Sequence, residues 1–293
     1  VEKDIKKKFI FKKGIVFFIL FTIFICLTLF YSRYIGTSGI FVKEYKVTYS
    51  ELSNDFYGLK IAHITDIHYK RTIFKEELEN IAELLNLTKP DIVVLTGDLI
   101  DKDTILTDSD ITILSNFLNS IDASIGKYAI KGNHDYKFNN WDIIIENGGF
   151  KNLNDTYELI YTNSNESILL AGVSTNLYGK KNIKEKLKST YEYLSTTEKK
   201  PNYNILLLHE PDFINDIDYT TFNLILAGHS HNGQIRLPII GAIIKPTAAE
   251  KYYDEYYKIK TTDLYISSGI GVSQINFRLF NKPSFNLYRL TNS

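Results

Sequence analysis

The sequence predicts an α/β protein carried behind a single N-terminal membrane-spanning helix. Three observations predict it: a long uncharged apolar run near the start, a repeated alternation of β-like and helix-period segments, and polar clusters that close five of the β-like runs.

The run Gly14 to Tyr31 holds 18 residues without a charge. That is enough to cross a bilayer and longer than the roughly 7–15 residues of a signal-peptide core. The following Tyr31–Gly39 stretch has small residues but no A-x-A cleavage pattern, so an uncleaved signal anchor is expected over a removed signal peptide. Lys3, Lys6, Lys7, Lys8, Lys12 and Lys13 precede the span, whereas only Arg33 follows it closely. This asymmetry predicts an N-terminus in the cytoplasm and the globular part outside it. The expected layout is a basic N-terminus (1–13), a transmembrane anchor (14–31), a linker with the first strand (32–58) and a single large domain (59–293). With 293 residues, the chain is long enough for one sizeable core and too short for a second.

Zero formal net charge argues against a nucleic-acid surface. The lone Cys26 sits in the apolar run and has no partner within the chain. There is no methionine, so the chain is expected to begin past its true first residue.

A first strand is expected over 41–49 and a second over 60–65. Leu78, Ile81, Ala82 and Leu85 recur at helical spacing within 74–87, and Thr88-Lys89-Pro90 closes that helix. A strand at 91–96, a helix over 109–120 and a strand at 127–131 follow, and this β-α-β-α-β rhythm implies a mostly parallel layer. Further on, strands at 158–162 and 167–173 flank Asn163-Ser164-Asn165 as a hairpin. An amphipathic helix is expected over 183–194. Strands at 204–208, 223–227, 234–236, 252–259, 264–267 and 284–290 complete the reading.

The chemistry lies at the ends of these strands. Strand 60–65 opens into Asp66-Ile67-His68, and with a period of two both side chains point the same way at its C-terminal edge. Strand 91–96 leads to Gly97-Asp98, strand 127–131 to Gly132-Asn133-His134-Asp135, strand 204–208 to His209, and strand 223–227 to Gly228-His229-Ser230-His231. Five of the six histidines thus stand in such clusters. His63, three residues before Asp66, points to the opposite side of its strand and reads as structural. Gly97, Gly132 and Gly228 stand where the chain must turn sharply beside the ligands. Two divalent ions about 3.5–4 Å apart, needing N and O ligands and a bridging carboxylate, suit this inventory. With one cysteine, a thiolate zinc site is excluded.

D-x-H, G-D, G-N-H-D, a lone His after a strand, and G-H-x-H, in that order, resemble the calcineurin-like metallophosphoesterases. The resemblance implies a four-layer sandwich of two mixed β-sheets flanked by helices. It also implies two divalent ions (Mn²⁺, Fe or Zn²⁺), one held by Asp66, His68, Asp98 and His231, the other by Asp98, Asn133, His209 and His229. His134 would then contact a phosphate oxygen and assist the leaving group, with Asp135 orienting its ring. The anchor, the run Gly58–His68 and the run Gly228–Pro238 resemble the membrane-associated bacterial branch, some of whose members are similar to UDP-2,3-diacylglucosamine hydrolases. Two positions depart from that branch: Asn232 stands where Gly is usual, and Ser268 where Arg is frequent. The expected function is hydrolysis of a phosphodiester, phosphomonoester or pyrophosphate in a lipid-linked or cell-envelope substrate. The alternatives are a membrane-tethered scaffold without turnover, and a phosphomonoesterase of soluble substrates. Leu237–Ile244, an apolar run just past the last ligand, reads either as a packed strand or as a lipid-facing segment.

Overall fold

The computed structural model describes residues 2–162 and 164–293. Asn163, the first residue of the expected hairpin turn, lies outside the described residues.

Helix α1 (Glu2–Phe30) takes in both the basic stretch and the apolar run, so it begins well before the expected span. Its apolar part, continued through a π-helical turn over Tyr31–Ile35, is long and apolar enough to cross a membrane; none of its most apolar stretch is buried, while Ser32 in the turn is. That turn closes on Gly36, whose N–H donates to the Tyr31 carbonyl over 2.6 Å.

Chain order then runs β1 (Phe41–Thr48), β2 (Lys60–Ile64), α2 (Lys75–Thr88), β3 (Ile92–Thr96), α3 (Asp108–Asn119), β4 (Gly126–Ile130), α4 (Trp141–Asn147) and β5 (Lys151–Asn152). The second half holds β6 (Thr156–Tyr161), β7 (Ser167–Val173), α5 (Ile183–Lys186), α6 (Lys188–Thr196), β8 (Tyr203–Leu208), β9 (Leu224–Ala227), β10 (Arg236–Leu237), β11 (Gly241–Ala242), β12 (Tyr256–Ile259), β13 (Thr262–Ile266) and β14 (Ser284–Thr291).

Two six-stranded mixed sheets result, in the orders β1-β14-β2-β3-β4-β5 and β12-β13-β9-β8-β7-β6. In the first, β2, β3, β4 and β5 are parallel and β14 runs against β2. In the second, β7, β8, β9 and β13 are parallel, with β6 and β12 antiparallel at the edges. Alternation along each strand divides its side chains between two layers. Val94, Ile205, Leu207, Leu224 and Leu226 pack between the sheets. Val93 and Leu95 face α2, α3 and α4, while Leu206, Leu208 and Ile225 face α5 and α6. This is the four-layer sandwich, and truncating one of its central aliphatic residues to Ala costs about 2–5 kcal/mol.

Local signals account for several boundaries. Thr107 Oγ1 accepts the N–H of Asp110, and the Asp110 carboxylate accepts the Thr107 N–H over 2.8 Å, capping α3. The helix expected over 183–194 is broken at Leu187, a fully buried residue with φ −89° and ψ 2°. Beside the break, the Lys186 ammonium is drawn inward to the oxygens of Ser174. The strand expected over 252–259 begins only at Tyr256, and 234–236 supplies one strand residue, Arg236, to the short β10–β11 hairpin.

Candidate metal centre

All five loops that carry the candidate ligands leave the C-terminal ends of parallel strands at the adjoining edges of the two sheets: β2, β3 and β4 from one, β8 and β9 from the other. Asp66, His68, Asp98, His229 and His231 all adopt left-handed backbone, with φ between 47° and 63°. A single such residue turns a strand end back on itself, so its side chain projects over the sheet edge. Strain of this kind persists only where surrounding structure holds it. Close approach demands glycine beside them: a Cβ on Gly132 would lie 2.2 Å from Asp98 Oδ1, and one on Gly228 2.2 Å from Thr65 Oγ1.

The side chains converge in two groups that meet at Asp98. His231 Nε2 lies 3.4 Å from Asp66 Oδ1 and 3.1 Å from His68 Nε2, and His68 Nε2 lies 3.8 Å from Asp98 Oδ2. On the other side His209 Nε2 is 3.3 Å from Asp98 Oδ2 and 3.1 Å from Asn133 Oδ1, with the His209 and His229 rings 5.1 Å apart. Three His/Asp triads have ligand atoms close enough to share an ion: Asp66-His68-His231, His68-Asp98-His134 and Asp98-His209-His229. All are buried.

Backbone groups orient the ligands. The His209 Nδ1–H donates to the Thr96 carbonyl over 2.6 Å, which leaves Nε2 with its lone pair towards Asp98. His229 Nε2–H donates to the Thr247 carbonyl over 2.8 Å, which leaves Nδ1. The Asp66 carboxylate accepts the His229 N–H, and Asp98 Oδ1 accepts the His134 N–H over 2.8 Å.

The electrostatics fit a cation. Burial alone would raise the Asp66 and Asp98 carboxyls, yet the imidazoles of His231 and His209 beside them hold both well below the usual carboxylate range. Burial alone would lower His68, but the carboxylates of Asp101, Asp66 and Asp98 around it push it up to about 9. Two ring nitrogens 3.1 Å apart, with carboxylate oxygens around them, form a donor set of imidazole, carboxylate and amide that suits a hard or borderline divalent ion. His68 Nδ1 and Asp101 Oδ2, both buried, lack a hydrogen-bond partner among the described residues.

His134 stands at the mouth. Its Nδ1 accepts the main-chain N–H of Lys102 over 3.2 Å, so the proton of the neutral ring lies on Nε2, 4.0 Å from Asp98 Oδ2. Asp135 does not orient this ring: its carboxylate accepts the N–H groups of Gly132 and Ile100, and burial with the nearby Asp98 charge pushes it up to about 6. The carboxylate near His134 Nδ1 belongs to Asp101, whose Oδ2 lies 3.7 Å from it and 3.6 Å from His68 Nδ1. Sequence reasoning overlooked Asp101, although it follows Asp98 by three in the same loop.

Asn232 has φ 49° and ψ 32°. Asn is among the few side-chain-bearing residues that enter this region readily, which explains how it replaces the usual Gly. Near Ser268 the positive charge comes from Arg278, whose Nη2–H donates to the Ser268 carbonyl over 2.8 Å and lies 3.3 Å from His231 Nδ1. His63 is buried between the sheets, with Nε2 2.7 Å from Thr96 Oγ1.

The calcineurin-like phosphoesterase family pattern matches residues 59–233. The chain is 30% identical over 264 residues to the Bacillus subtilis metallophosphoesterase YkuE, covering 89% of this chain and 88% of that protein. It is 27% identical to the B. subtilis metallophosphoesterase YkoQ, covering 79% of this chain and 83% of that one. A zebrafish transmembrane protein with a metallophosphoesterase domain is 24% identical, over 82% of this chain and 55% of its own length.

Proposed function

The chain belongs to the calcineurin-like phosphoesterase family, a metal-dependent phosphoric ester hydrolase family, and from that premise we propose that it hydrolyses lipid-linked or envelope-derived phosphoesters at a two-ion site. One ion would be held by Asp66, His68, Asp98 and His231, the other by Asp98, Asn133, His209 and His229. A pair of divalent ions would supply Lewis-acid neutralisation of phosphoryl charge and a source of nucleophilic water near neutral pH.

The remaining steps belong to the side chains. Asp98 Oδ2 lies within 3.3–4.0 Å of His209, His68 and His134, which suits a carboxylate shared between the two halves. His134 presents Nε2–H to the cleft, where it can donate a hydrogen bond to a phosphoryl oxygen and stabilise the charge that builds on the departing oxygen. Asp101 stands beside the ring, its Oδ2 3.7 Å from His134 Nδ1. The cleft in front measures about 800 Å³ including its open mouth.

The convergence of His and Asp side chains from both sheets on Asp98 carries this reading. The lipid side of it is supported by α1, which points to a membrane-anchored enzyme with its domain on the extracytoplasmic face; the lysines before the span favour that orientation. The test uses purified full-length protein with Mn²⁺, assayed on lipid pyrophosphates, lipid phosphodiesters and water-soluble esters with the same bonds. We expect metal-dependent cleavage, faster for lipid-borne substrates. Equal or faster cleavage of the soluble esters would refute the lipid preference, and no cleavage by metal-loaded protein would favour a scaffold.

A further inference from the structure

The apolar run past the last ligand is not a packed strand. It forms the β10–β11 hairpin and its exit, with Ile239 fully exposed, Ile240 69% exposed, and Ile243 and Ile244 about half exposed. Ile239 also holds a φ of 72°. A β-branched residue in left-handed backbone is disfavoured, and here no burial within the protein compensates for it.

The position of this hairpin says what covers it. Its base is bonded to the segment that receives the anchor: the Arg236 N–H donates to the Leu279 carbonyl over 2.9 Å, and the neighbouring Arg278 N–H donates to the Ser32 carbonyl at the end of the span, also over 2.9 Å. The Lys282 ammonium reaches the Ile35 and Ser38 carbonyls from the same segment. Ile275 and Phe280, also exposed, extend the apolar surface along it. The exposed Lys245 follows the isoleucines directly and places a cation where lipid phosphates lie when apolar tips enter a bilayer, while Arg236 at the hairpin base is paired with Asp254. On its other side the patch is continuous with the catalytic cleft, because Ile244 and Ile275 line that cleft together with His134, His229 and Asn133.

We propose that the β10–β11 hairpin is a second membrane contact, seated in the leaflet that α1 leaves, and that it joins the cleft to the lipid surface so that a membrane-resident phosphoester enters sideways. The membrane contact rests on α1 being an anchor, and the entry route rests on the phosphoesterase reading above. Two contacts hold the cleft mouth at the headgroup level, with the isoleucines beside the acyl chains of the bound lipid.

Full-length Ile239→Trp and, separately, Ile240→Trp are reconstituted into phosphatidylethanolamine–phosphatidylglycerol vesicles with or without acyl-chain-brominated lipid. The wild type, whose one tryptophan, Trp141, is buried, serves as the blank. Flotation with the vesicles first reports whether α1 anchors the chain. For floating protein we expect the new emission to be quenched by brominated lipid and protected from iodide in both variants. Floating protein whose new emission is quenched by iodide and untouched by brominated lipid overturns the membrane contact while leaving the anchor and hydrolase readings standing. In a second arm, the pair Ile239→Ser and Ile240→Ser should lower kcat/KM for a vesicle-borne substrate about tenfold and leave bis(4-nitrophenyl) phosphate turnover unchanged. Equal losses on both substrates overturn the entry route. Absence of any hydrolysis by metal-loaded wild type faults the hydrolase reading and not the contact.

Discussion

The main-chain N–H of Arg278 donates to the Ser32 carbonyl over 2.9 Å, so the last turn of the apolar helix is fastened to the residue whose guanidinium lies against His231. Anchor and candidate site are therefore separated by one side chain, with no flexible tether between them.

Gly36 makes this junction possible. A Cβ there would stand 2.0 Å from the Arg278 carbonyl oxygen, too close for any adjustment short of parting the two segments. Gly36→Val in vesicles should therefore speed proteolytic cleavage within residues 31–40 by about tenfold, since protection reports local opening. An unchanged cleavage rate would show that the junction is already open in solution.

The shared position of Asp98 separates it from His134. Asp98→Ala should strip both ions and nearly all activity, whereas His134→Ala should retain metal and slow turnover by about 10²–10⁴. Metal analysis alongside kcat decides the assignment, and a His134→Ala protein that emerges without metal contradicts it.

Asp101 stands between two imidazoles and touches neither within hydrogen-bond distance. As a positioning residue it should matter through them: Asp101→Asn is expected to weaken metal binding or lower kcat by about 10–100-fold without altering the folded structure seen by circular dichroism. Kinetics equal to wild type at subsaturating metal would remove it from the site.

His63 gives the fold a pH dependence. Burial, only partly opposed by the Asp66 charge, lowers its folded value to about 3 from an ordinary 6.5. Between these values the unfolded chain binds the extra proton, so the contribution is complete above pH 6.5 and is lost as pH falls towards 3. His63→Gln should remove this part of the acid sensitivity, on the order of 2–3 kcal/mol between pH 6.5 and 4.5. Urea titrations of both proteins in chelator at the two pH values measure it. Parallel losses of stability in the two would rule out His63 as the source.

Much of this architecture could be read from periodicity. The unbroken aliphatic runs of β3, β8 and β9 mark strands buried on both faces, and strand ends carrying Asp, Asn and His mark where the sheets deliver chemistry. Other features depend on contacts between distant residues. The break at Leu187 sits beside Lys186, whose ammonium reaches Ser174, a contact no local pattern announces. Asp101 resembles an ordinary loop carboxylate until the loops bring His68 and His134 to either side of it. Arg278 lies 47 residues beyond His231 with no motif around it. The neighbouring strands β6 and β7 were legible as a pair, but their register, in which Thr156 pairs Gly172 and Tyr161 pairs Ser167, was not.

Five of the candidate ligands sit in a backbone conformation that costs each about 1 kcal/mol or more, and glycine in any of these places would relax the chain. Robustness and chemistry therefore pull against each other at the same positions. A descendant freed from the need to hydrolyse anything would become sturdier by shedding its ligands, and the first letters to fade from the gene would be those for Asp66, His68, Asp98, His229 and His231.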